Sequence, residues 1–141
     1  MNLEDSLKLE RYKLVTSRQA WVMDVARGVY IGYATTVAAF VGGALTLVLT
    51  VKQTSALKPE IVESILFMIA VFITCVAVVS TFQIAFCTWR WYEYRVAECK
   101  IYPEAPSPES WAKYFELAFV VLMGASVALI WVGYSALSRI V

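Results

Sequence analysis

Residues 29–51 read VYIGYATTVAAFVGGALTLVLTV, a run without one charged side chain. At ~1.5 Å per residue, a helix of this length crosses the ~30 Å hydrocarbon core of a bilayer. Two further stretches, 61–89 and 111–138, have the same character, although Glu63 stands near the start of the first and Lys113 and Glu116 near the start of the last. The charges elsewhere sit in blocks between these runs, whereas a soluble helix would carry them on one side of a narrow apolar stripe. The expected fold is therefore all-α. It is an integral membrane protein of three transmembrane helices, with helices 1 and 2 extended into the cytoplasm.

Composition agrees with that reading and removes several functions. The chain is 60% apolar with a mean hydropathy of +0.67. Only 16% of it is charged, against ~25% in soluble domains. A net charge of +1 gives no electrostatic basis for binding nucleic acid. There is no histidine, which removes the usual axial haem ligand and the commonest general base. Cys75, Cys87 and Cys99 recur at intervals of twelve. On one helix they point ~120° apart and cannot converge on a metal, so they are read as packing residues. No HExxH motif, glycine-rich phosphate loop, CxxC pair or Ser-His-Asp set occurs. No catalytic residue, metal ligand or cofactor is expected, lipid contacts aside, and no enzymatic activity.

The chain divides as a single membrane domain. Residues 1–27 form an amphipathic helix in which Leu7, Leu14 and Trp21 repeat at seven. Glu4 with Lys8, Glu10 with Lys13 and Asp24 with Arg27 have the spacing of intrahelical ion pairs. The charges of this segment extend too far, and are too acidic, for a signal-peptide head, so the first span is expected to be retained. An isolated projecting helix with a leucine stripe is unstable, and the stripe needs a partner. The alternative is a helix lying flat on the headgroups. The mixed charge of the polar face favours projection.

The first span (28–51) is rich in small residues. Gly28 and Gly32 form a GxxxG pair, while Ala34, Ala38, Gly42 and Thr46 form a row at spacing four with Gly43 beside it. Such rows let helix backbones approach closely in lipid. Residues 52–58 turn the chain into an antiparallel hairpin, and Pro59 followed by Glu60 suits a helix start. The second span (61–89) carries polar positions at Thr74, Thr81 and Thr88, spaced by seven, and at Gln83. Threonines can bond their own helix carbonyls. Gln83 needs a partner, either across a helix interface or in a water-filled path. In segment 90–110 the helix is expected to continue to about Ile101, followed by a proline-rich break. Ser107 and Pro108 then begin the third helix. Trp89, Trp91 and Tyr92 mark one membrane interface with Trp111, and Trp131 marks the other. A ligand pocket built from the aromatic residues near 89–95 is the functional alternative to such a belt.

Nine lysines and arginines lie in the N-terminal segment and second loop, against three in the first loop and tail. The positive-inside rule then places the N-terminus in the cytoplasm and the C-terminus outside, in a membrane such as the bacterial inner membrane. Two function classes suit these features. One is a homo-oligomer able to enclose a pore, its threonines and Gln83 lining or gating it. The other is an accessory subunit docked on a larger membrane complex. Leu9-Glu10-Arg11-Tyr12 ahead of the first span, and Trp91-Tyr92-Glu93-Tyr94-Arg95 after the second, resemble in kind the small bacterial transmembrane effectors of the SLATT type. The resemblance covers residues 3–101 and lies in their layout, the third span being additional to it. It implies an oligomeric pore triggered by a partner sensor.

Overall fold

The structure, a computed structural model, describes residues 3–54, 58–102 and 112–139, without the side chains of residues 3, 54 and 112–117. Three helices account for nearly all of them: α1 (Leu3–Thr54), α2 (Pro59–Ile101) and α3 (Ala112–Leu137). Each is long and apolar enough to cross a membrane. Both α1 and α2 run past the charge-free stretches, as the sequence leads one to expect. The proline-rich break, Ser107, Pro108 and Trp111 lie outside the described residues, as do the side chains of Lys113, Tyr114 and Glu116.

Local chemistry explains the helix ends. Glu4 and Asp5 sit in the first turn of α1 and Lys52 in its last, each complementing the exposed backbone dipoles. Pro59 opens α2, where its missing amide costs nothing, and the Lys58 carbonyl accepts from the amides of Ile61 and Val62. Threonines inside the helices donate to their own backbone. Thr35, Thr46 and Thr50 bond the carbonyls of Ile31, Gly42 and Thr46.

The chain forms two compact units. One comprises Met1–Val29 with Phe82–Phe119, the other Tyr30–Thr81 with Val120–Val141. In the second unit the core is Ala44, Val48, Val62 and Leu66, with Tyr134 and Leu137 of α3 packed against it. Helix α3 is fixed by polar contacts as well. The hydroxyls of Tyr33 and Ser126 share a hydrogen bond. The Trp131 indole N–H donates to Thr74 Oγ1 at 3.1 Å, and its ring meets Phe67 and Tyr134 at 6.0 and 5.8 Å between centroids.

In the first unit α1 packs on α2 through a face other than the leucine stripe. Leu7, Leu14 and Trp21 are 50, 59 and 60% exposed. Gln19 and Val22 are buried instead, with Tyr12, Val15 and Ala26 half-buried beside them. These residues follow the alternating three- and four-residue steps by which one helix face stays against a partner. On α2 the inward positions keep the same rhythm: 84, 87, 91, 94 and 98 in this unit, and 66, 70, 73, 77 and 80 in the other. Among the described residues, the leucine stripe is thus left exposed.

Candidate functional site

The small-residue face of α1 is set apart by the four glycines of this helix. Gly28, Gly32, Ala38, Gly42 and Gly43 are all exposed. A methyl group added at any of the four glycines would meet nothing within 4 Å. Each glycine costs roughly 0.8–1.0 kcal/mol of helix stability relative to alanine in water. Among the described residues no close helix contact offsets that cost at these glycines.

The threonine row of α2 takes the opposite orientation. Thr74, Thr81 and Thr88 are half-buried and donate to the carbonyls of Ala70, Ala77 and Ile84 at 2.8, 2.8 and 2.9 Å. Thr74 also accepts from Trp131, and Thr81 lies 3.6 Å from the Met123 sulfur. The first two threonines therefore face α3 and spend their polar capacity there. Gln83 is exposed, and its amide has no hydrogen bond within the described residues. Trp89 and Tyr92 are exposed on α2, 65 and 41%, whereas Trp91 is half-buried. Arg90 stands over the Phe86 ring, 5.6 Å from its centroid, and bonds Glu93 at 3.0 Å.

Three helices of the second unit leave an apolar groove of about 510 Å³ between them. Val37 and Leu45 of α1, Ile73 of α2 and Leu129 of α3 contribute to its walls, with Ser126 and Tyr134 as its polar members. It can hold a hydrocarbon chain or an apolar side chain.

One site escaped the sequence reading altogether. Glu98 is buried, 4% exposed, and so is Gln19 at 8%. Gln19 Nε2 donates to Glu98 Oε2 at 2.9 Å, and Arg95 Nη1 donates to the same oxygen at 2.6 Å. Burial pushes the Glu98 carboxyl upward, but the hydrogen bonds from Gln19, Arg95 and Tyr12 and the Arg95 charge outweigh it. The net direction is downward, so the group stays ionised at neutral pH. The signal in the sequence was the spacing Tyr12, Gln19, Ala26 with Val15, Val22 and Val29 interleaved. It is hidden because an amide and a phenol occupy positions where apolar residues are sought.

The expected pairs Glu10–Lys13 and Asp24–Arg27 are not formed, whereas Lys8 and Glu4 are joined at 3.0 Å. At the surface of a helix such pairs gain only a few tenths of a kcal/mol, too little to hold long side chains in place. Of the cysteines, Cys75 is exposed, Cys87 buried and Cys99 intermediate, and none is in a disulfide. Among the described residues no group of three cysteines and carboxylates is placed to hold a metal ion. Compared with protein families, with curated proteins and with solved structures, the chain finds no match.

Proposed function

We propose that this chain is a small integral membrane protein that acts by assembling with further copies of itself, through the small-residue face of α1, and not by catalysis. The observation carrying this reading is the open space at Gly28, Gly32, Gly42 and Gly43. In lipid, close backbone approach is what such a face is suited to, and among the described residues nothing comes within 4 Å of a Cβ placed at these glycines. The N-terminus and the extended ends of α1 and α2 lie in the cytoplasm, and the C-terminus lies outside. If the assembly opens the membrane, as the resemblance to SLATT-type effectors implies, Gln83 is better placed than the threonine row to line the path. Its amide is exposed, whereas Thr74 and Thr81 are turned towards α3.

Native mass spectrometry of the protein, extracted gently from its own membranes, tests the reading. The expected result is an assembly of identical 15.8 kDa chains, lost in Gly32→Leu and in Gly42→Leu. A bulky side chain at either position holds the backbones apart. A native chain recovered only as a monomer, or only with a larger cofactor-bearing partner, overturns self-assembly and favours an accessory subunit. Assemblies unchanged in both variants overturn the role of the glycine face.

A further inference from the structure

Self-assembly through the spans leaves open what happens to the exposed stripe of Leu7, Leu14 and Trp21. We infer that this stripe is a second contact between copies, formed by the parallel pairing of two α1 segments outside the membrane. The inference rests on the oligomeric reading above and adds a surface to it.

Three observations support a second copy as the occupant. First, the three side chains are at least half exposed, and their seven-residue spacing keeps them in line along a helix paired with another. Second, the flanks are opposite in charge. Taking ~100° per residue, Glu10 and Asp24 stand within about 80° of the stripe on one side. Arg11 and Arg18 stand within about 60° on the other. Glu4 shares the basic side but is held by its own bridge to Lys8, and Lys13 lies about 100° away, beyond the acidic flank. Third, Glu10, Arg11, Arg18 and Asp24 are exposed and make no ion pair among the described residues.

Copies inserted with one topology present α1 in one direction. A twofold axis along the stripe then sets Leu7, Leu14 and Trp21 against their counterparts. The acidic flank of one copy faces the basic flank of the other, with Glu10 level with Arg11 across the pair. A membrane surface is a poorer occupant, since a helix lying on headgroups carries a basic polar face and this one is mixed.

The test is oxidative cross-linking of full-length chains in native membranes. Leu14→Cys is expected to give a disulfide-linked band at twice the 15.8 kDa monomer mass. Leu9→Cys, on the far side of α1, and the native chain are expected to give none. Adding R11E and R18E to Leu14→Cys places like charges on both flanks and abolishes the band. Adding E10R and D24R as well reverses both flanks and restores it. Cross-linking of Leu14→Cys no stronger than that of Leu9→Cys, or no restoration by the fourfold reversal, overturns the inference. So does a spin label at position 14 that reports lipid rather than a second label. The native mass separates the two proposals. A surviving assembly with no cross-link removes this surface alone, whereas a monomer removes the reading on which it rests.

Discussion

Replacing Gln19 by leucine tests the buried polar contact that joins α1 to α2. The amide donates one hydrogen bond, 2.9 Å long, to a carboxylate that is 4% exposed. A hydrogen bond to a charged partner contributes roughly 1.5–3 kcal/mol. Glu98 keeps its bond from Arg95, so the loss stays in that range and does not reach the full cost of an unpaired buried charge. A loss of that size raises the population of locally opened pairs by roughly 10- to 160-fold. Amide hydrogen exchange in detergent micelles reads this directly, as faster exchange of backbone amides over residues 12–26 and 91–101. Q19L with E98L together replaces both groups of this contact by apolar ones and is expected to cost less than the two single changes combined, because neither the amide nor the carboxylate is left facing an absent partner, although Arg95 and Tyr12 lose their acceptor. Exchange in Q19L equal to that of the native chain refutes the reasoning. Strict additivity of the two substitutions refutes it as well.

Two further expectations concern the same unit and its neighbour. The Glu98 carboxyl lies below its ordinary value of 4.5 in the folded chain. Its contribution to stability is therefore fully present above that value and is lost as the pH falls from 4.5 through the depressed folded value. Melting temperatures recorded from pH 7 downward should drop in that window for the native chain and more weakly for Glu98→Gln. Trp131→Phe keeps the aromatic contacts with Phe67 and Tyr134 but removes the donor to Thr74. It is expected to cost roughly 0.5–1.5 kcal/mol, seen as a lower thermal midpoint, with no further loss when Thr74→Ala is added.

The three helices were legible because runs such as 29–51 leave a chain few alternatives, and because Pro59 and the acidic residues around the helix starts mark ends that local chemistry dictates. The direction in which α1 presents itself was harder to read. Leucines and a tryptophan at spacing seven advertise a contact face, yet Gln19 and Tyr12 form the one that α2 covers. Hydrophobic periodicity cannot find a seam whose central members are polar. It also cannot know that Glu98, eighty residues downstream in rough terms, will satisfy the amide. The threonine row divides differently. Its side chains bond their own helix, as threonines in a helix can, but that Thr74 and Thr81 also face α3 is set by the packing of a third element whose register is not encoded within α2.

The chemistry of that seam also has a bearing on how the chain is made. Gln19 and Glu98 are 79 residues apart, and synthesis proceeds at roughly 5–20 residues per second. The ribosome therefore releases the first helix roughly 4–16 seconds before its partner position exists. An amide and a phenol on that face stay hydrated through the interval, so this side of the unfinished helix surrenders its water only when the carboxylate arrives.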